Sequence, residues 1–345
     1  MPGSPALTEA TYYILLSLHR PRHGYGIMQQ TEELSGGRVR LAAGTLYGAL
    51  NTLCDKGWVD EIVRAEGSRS ADYNFGNIYI WDSRYRQLIA RAGDRMLTKL
   101  RYEGQPTFVF PIGTGPLRPA IEALREFAAA KGYSPFCLRG ITEEHRDLLE
   151  SEYPGCFSFT EDVDNADYIY EAEKLATYAG KALHGKKNHC NRFEAENDWR
   201  FVPLTRALIG DCLDMLDVWS EENAERLEKS IVYEHTAIVR AFAAFEKLGL
   251  EGGVLYANDK IVGFTLGEMA CEDTFDVHFE KAEGSLNGAY PMTCRELTRM
   301  LMAKYPKLRW INREDDMGIE TLRRSKESYK PAYLLKKYTA RWIGA

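Results

Sequence analysis

Two stretches of this chain pass through the same order of elements, and that repetition limits the available folds more than any other feature. Strand, glycine-containing loop, helix and short strand occur at 105–141 and again at 274–314. "LREFAAAKGYSPFCLRG" can be laid over "LTRMLMAKYPKLRWINR" with Ala130 and Lys131 on Ala303 and Lys304. A repeat of this kind implies two similar α/β halves joined by whatever lies between them. Each half has a loop that ends a strand and opens a helix. Such a loop turns free backbone N–H groups and a positive dipole end outward, where a phosphate can sit. The same geometry also occurs as plain packing, so both readings stand for Gly113–Gly115.

The elements around the repeat follow from periodicity and turn chemistry. "DRMLTKLRYEGQPTFVFPIG" reads as a hairpin turning at Glu103–Gly104, "PLRPAIEALREFAAAKG" as a helix and "PFCLRGI" as a strand. Helices are expected at about 171–190, 203–220 and 223–248. "GGVLYANDKIVGFTLGEMA" is a hairpin with its turn at Asn258–Asp259. "TFDVHFEKA", "MTCRELTRMLMAKY" and "LRWINRE" follow as strand, helix and strand.

At 345 residues the chain has room for two or three domains, and 45% hydrophobic with 27% charged residues fits a globular protein. A net charge of −6 argues against a general polyanion binder and leaves room for a small DNA-reading patch. No apolar run is long enough to span a bilayer, and the N-terminus lacks the pattern of a secretion signal. Seven cysteines without C-x-x-C spacing read as free thiols in a reducing cytoplasm, the expected location. His184 and His189 are five apart and would not share a helical face, so no metal site is expected.

The first sixty-six residues read differently. Helices are expected at 7–18, with Thr8 as N-cap, and at about 25–34, stopping at "SGG". A third, over 43–56, carries Leu46, Leu50 and Leu53 as one apolar stripe and closes at Gly57. "GWVDEIVRAEG" alternates as a strand starting at Trp58. "LTEATYYILLSL", "PRHGYGIMQQTEELSGGRVRL" and "AAGTLYGALNTLCDKGW" resemble the N-terminal part of PadR-type transcriptional regulators. The resemblance implies a winged helix-turn-helix with 43–56 as recognition helix, its first turns set toward base edges. It implies Thr45, Tyr47 and Asn51 near DNA and Arg38 and Arg40 near phosphates. The alternative is that Tyr47 and Leu50 simply pack a small helical bundle. "AEGSRSADYNFGNIYIW" stands where the family has its returning wing strand and dimer helix, which leaves a homodimer an open expectation.

The remainder resembles a second family. "DYNFGNIYIWDSRY", "DYIYEAEKLATYAGKALHGKKNHCNRFEAENDWRF" and "INREDDMGIETLRRSKESYKPAYLLKKY" are similar to an uncharacterised bacterial family. That family is related to the C-terminal catalytic domain of phosphatidylglycerol lysyltransferases. The resemblance implies a tandem pair of GNAT-like acyltransferase domains and transfer of an aminoacyl group from aminoacyl-tRNA. "EGSLNGAY" lacks the usual Arg or Gln that opens the coenzyme A loop of GNAT enzymes, so aminoacyl-tRNA and an acyl-CoA both remain as donors, the second less favoured. The fold class expected is α/β (α+β): a winged helix-turn-helix followed by tandem GNAT-like domains. The divisions are 1–66 for the head, 68–170 for the first half, 171–225 for connecting helices and 226–345 for the second half.

Acyl transfer needs a donor site, a base for the nucleophile and donors for the oxyanion. Lys186, Lys187, Asn188, Asn191 and Arg192 in "HGKKNHCNRF" could hold a phosphate or an RNA end. "NREDDMGIETLRRSKESY" follows a strand end, where α/β sites usually lie. It offers Glu314 or Asp315 as base, Asn312, Arg323 and Lys326 for the substrate, and Tyr329 as acid for the leaving group. For both segments the alternative is a solvated, ion-paired surface. If both readings hold, the two segments line one cleft between the halves. An enzyme on an unknown acceptor and a ligand-sensing regulator without turnover are the two functional expectations.

Overall fold

The computed structural model describes residues 32–33 and 43–344. The chain divides into two compact units, Met1–Asp60 and Glu61–Ala345. The expected helices at 7–18 and 25–34 lie outside the described residues except for 32–33, which are helical, and so do Arg38 and Arg40. Thr45, Tyr47 and Asn51 fall on helix α1, Ala43–Glu66.

That helix corrects two expectations. It does not stop at Gly57, and no strand starts at Trp58. The stretch 59–63 fits both periods, with Val59 and Val63 matching a strand and Val59, Ile62 and Val63 matching a helix. All three are buried, which selects the helical spacing. The helix closes ten residues later than expected, at Gly67 with φ +70°.

The larger unit contains two sheets. After the short helices α2 (Phe75–Ile80) and α3 (Asp82–Tyr85) come β1 (Leu88–Ala92), β2 (Arg95–Tyr102), β3 (Gln105–Gly113), α4 (Leu117–Ala130), β4 (Cys137–Ile141), α5 (Glu143–Glu152) and β5 (Phe157–Glu161). Then β6 (Asp167–Glu171), α6 (Ala172–Thr177), α7 (His184–Glu196), β7 (Trp199–Pro203), the long α8 (Ile209–Ala243) and α9 (Phe245–Leu248) lead into the second half. That half is β8 (Glu251–Ala257), β9 (Lys260–Cys271), β10 (Thr274–Ala282), α10 (Ala289–Lys304), β11 (Trp310–Asn312), α11 (Glu320–Ser328), β12 (Tyr333–Leu335) and β13 (Tyr338–Trp342).

The strand orders are β1-β2-β3-β4-β13-β5 and β7-β8-β9-β10-β11-β6-β12. From β8 onward the second repeats the first. Both have an antiparallel meander, then one parallel pair, β3–β4 or β10–β11, bridged by a helix. Each half then sends its last strand into the other's sheet. β6 lies between β11 and β12, and β13 lies between β4 and β5. The sequence-order halves therefore do not coincide with the sheets, and α8 runs through the division drawn at 225–226. The two crossing connections meet, with the Asp162 N–H donating to the Lys337 carbonyl at 2.8 Å.

The registers align the halves residue by residue. Phe108 faces Leu138 in the first parallel pair and Phe275 faces Ile311 in the second. All four side chains are buried. Both hairpins expected from the sequence are present, their turns made by left-handed residues at Glu103–Gly104 and Asn258–Asp259. The helices expected at 203–220 and 223–248 are largely one, α8, and the helix expected at about 171–190 is broken after Thr177 into α6 and α7.

Candidate active site

The aligned register gives Val109 of β3 the place that Asp276 has in β10, and the alternation carries Pro111 and Gly113 to the places of His278 and Glu280. In the first half the loop after β3 is closed by the protein itself. The Glu66 carboxylate accepts the Gly113 N–H at 2.6 Å and the other oxygen meets His145 Nε2 at 2.7 Å. Arg95 donates to the carbonyls of Gly115 and Pro111. Burial alone would raise Glu66, but the bonds to His145 and Gly113 outweigh it and hold the carboxyl below its ordinary value. Gly113 has φ +126°, and a Cβ there would lie 2.0 Å from the Asp94 carbonyl. This loop thus carries its own anion, and its apolar neighbours pack the imidazole of His145 flat on Phe110 at 4.1 Å.

The second half is open at the same level. A cavity of about 450 Å³ lies between the ends of β10 and β11, the two crossing connections and the segment 71–85. Carboxylates outnumber lysines and arginines on its wall. Most of the cations are engaged: Arg313 with Glu280 at 2.8 Å, Lys281 with Glu234 at 2.8 Å, and Lys337 with Asp167 at 2.7 Å and Asp72 at 3.0 Å. Lys326 Nζ donates to the carbonyls of Arg313, Glu314 and Asp315 and so folds that loop. Among the described residues Arg84 differs from these, its guanidinium resting over the Tyr85 and Tyr233 rings. A second cavity, also about 450 Å³, shares Arg84 and Trp81 and is lined further by Trp219 and Tyr290.

A buried imidazole sits in the cavity wall. His278 Nε2 lies 3.1 Å from Glu268 Oε1, and Nδ1 lies 2.9 Å from Glu314 and 3.5 Å from Asp276. Burial disfavours its charge, but Asp276, Glu268 and Glu314 override this and push the imidazole well above 6.5. Asn74 and Asn77 donate to Asp276 and Glu314. Gly76 makes room for Glu268, since a Cβ there would lie 2.3 Å from its Oε1. Position 278 is where β10 bulges against β9, a device that re-aims a side chain beside a site.

The structure separates the residues expected from sequence. Glu314 lines the cavity, held in a left-handed turn with φ +56° by its N–H to Asn312 Oδ1. Asn312 is fully buried and braces Arg69 and Asp167 rather than facing the cavity. Lys326 lines the cavity, while Arg323 pairs with Asp316 and Asp164. Tyr329 is buried between Lys186 and Arg313, 3.7 and 4.4 Å from its ring centre, and does not line the cavity. That position removes it as an acid for a leaving group. Lys186 therefore does meet the 312–329 segment, and burial and the Arg313 charge push it down to about 8. Lys187, Asn188, Asn191 and Arg192 lie exposed on α7, with Arg192 paired to Glu196, so the rest of that cluster does not share the cleft.

Sequence reading missed Asp276, His278 and Glu280. Their signal was in "TFDVHFEKA", a strand with apolar neighbours and a polar residue at every second position of one face. Asp315, named second to Glu314 as base, lines the cavity, and burial pushes its carboxyl up to about 7.

A family model described as phosphatidylglycerol lysyltransferase, C-terminal, matches residues 64–341, and one described as transcriptional regulator PadR-like family matches 14–73. A conserved protein of unknown function from Bacteroides thetaiotaomicron superposes with a TM-score of 0.80 at 36% identity, covering 84% of this chain and 97% of that one. L-PGS from Bacillus licheniformis superposes at 0.57 with 16% identity, covering 84% and 91%, which is a likeness of fold. An uncharacterised protein of Mycoplasmoides gallisepticum is 26% identical over 182 residues, 52% of this chain and 57% of that relative, so the match spans little more than half of it. The chain belongs to the phosphatidylglycerol lysyltransferase C-terminal family.

Proposed function

We propose that this family member is an aminoacyltransferase whose site is the acidic cavity at the crossing of the two halves. The observation that carries the reading is the excess of carboxylates on the cavity wall: Glu280, Glu234, Asp167 and Asp72 pair with the wall's own cations, and Glu103 and Asp315 have no ion-pair partner among the described residues. Such a wall favours a ligand that brings positive charge, as the ammonium of an aminoacyl group does. In this reading the donor ester enters with its amino group among the carboxylates, and Arg84 faces its phosphate end. The acceptor's amine or hydroxyl attacks the ester carbonyl, Asp315 takes the proton, and the ribose oxygen leaves. Asp315 suits this because it reaches the cavity without a salt bridge of its own among the described residues. The test offers the full chain lysyl-tRNA with phosphatidylglycerol vesicles and, separately, with small primary amines. Transfer above the spontaneous rate, lost in Asp315→Asn, is expected. No transfer to either, with no binding of lysinamide, overturns the reading.

A second reading is a ligand-sensing regulator, and the PadR-like match over 14–73 favours it. Gel shifts of the full chain should then weaken steeply with salt, and Arg40→Ala should reduce binding on every sequence. No retardation even at low salt leaves the head as a packing domain.

A further inference from the structure

We propose that Asp276, His278 and Glu314 form a binding site for a divalent first-row metal ion in the cavity wall. Strand β10 supplies Asp276 and His278 and the loop after β11 supplies Glu314, and their ligand atoms all lie within 4.8 Å of one another. An ion bound at about 2.0–2.2 Å to nitrogen and carboxylate oxygen needs those atoms roughly 3–3.5 Å apart. The imidazole Nδ1 stands 2.9 Å from Glu314 and 3.5 Å from Asp276.

Two further observations point the same way. Asp276 is fully buried; its Oδ2 faces Nδ1 and accepts from Asn74, while its Oδ1 has no hydrogen-bond partner among the described residues, an expensive arrangement for a carboxylate. Glu268 lies 3.1 Å from Nε2 on the far side of the ring and Glu314 lies 2.9 Å from Nδ1 on the near side, so each carboxylate can accept from one nitrogen. With Nε2–H given to Glu268, the Nδ1 lone pair faces two carboxylates, which repel it unless a positive species lies between them. Either a proton or a metal ion can be that species. A proton and a divalent ion compete for the same place between the ring and the Asp276 and Glu314 carboxyl groups, and the nearby cations are engaged with other partners. A divalent ion there leaves a coordination position toward the cavity, because Glu314 and His278 both line it. The donor set of one nitrogen and two carboxylates suits zinc or manganese better than a soft-ligand metal.

The experiment uses the full chain, stripped with chelator and titrated with Zn²⁺ by calorimetry, with Co²⁺ as the spectroscopic probe. Expected are one ion per chain, visible absorption bands on Co²⁺ loading, and a higher Tm with metal. Glu314→Gln, at a partly exposed position, keeps the metal-free Tm and weakens binding about tenfold or more. Glu268→Gln, a positioning change, weakens it by roughly 10–100-fold. Asp276→Asn removes the Co²⁺ bands. Should that variant not fold, the Glu314→Gln result decides. The proposal is overturned if the stripped protein takes up no stoichiometric ion at millimolar Zn²⁺, or if binding is unchanged in Glu314→Gln. None of these readings depends on transferase activity.

Discussion

The two halves of the larger unit share one strand order and place opposite chemistry on it. Val109, Pro111 and Gly113 in the first half occupy the register of Asp276, His278 and Glu280 in the second. The first half's loop is stoppered by Glu66, whereas the second half's opens into a cavity. Duplication thus supplies two equal frames, and what separates brace from site is three side chains on one strand. The exchange of β6 and β13 ties the two frames together.

The largest effect that can break this comparison is on the buried pair of the second half. Glu280→Ala leaves Arg313 buried without its carboxylate and should cost about 3–5 kcal/mol by denaturant unfolding. A loss near zero would mean the pair is not buried as described. In the first half, Glu66→Gln removes a charged stopper with two hydrogen-bond connections and should cost about 1–3 kcal/mol. Because the folded carboxyl lies below its ordinary 4.5, wild type should hold this contribution above that pH and lose it as pH falls further. The Gln variant should lack that acid sensitivity, and an identical pH profile would contradict the assignment. The smallest effect sharpens the boundary of the site. Arg192→Ala and Lys187→Ala, both exposed on α7, should leave any transfer rate within about twofold, the scale of surface changes. A large loss would return the α7 cluster to the donor path.

Much of the frame was legible because it rests on local signals. The hairpin turns at Glu103–Gly104 and Asn258–Asp259, the helix after each loop, and the alignment of Ala130 on Ala303 all come from short-range pattern. The strands β5, β6 and β13 were not legible, since a strand that pairs with a sheet from another part of the chain carries no local mark of its partner. α1 was misread because 59–63 satisfies both periods and only burial separates them. The site was half legible. The loop after Asn312, singled out by its position at a strand end, lines the cavity, but its partners Asp276 and His278 lie more than thirty residues away. Lys186 reached the segment and its neighbours did not, because one helical face can turn only one of them inward.

The most direct measurement of the central claim is a crystal structure of the full chain with a non-hydrolysable lysyl-adenosine analogue. The account predicts its ammonium groups among the carboxylates of the second half's cavity, with the ester position facing Asp315 and the ribose toward Arg84. An analogue bound at the Gly113–Gly115 loop of the first half, displacing Glu66, would contradict it.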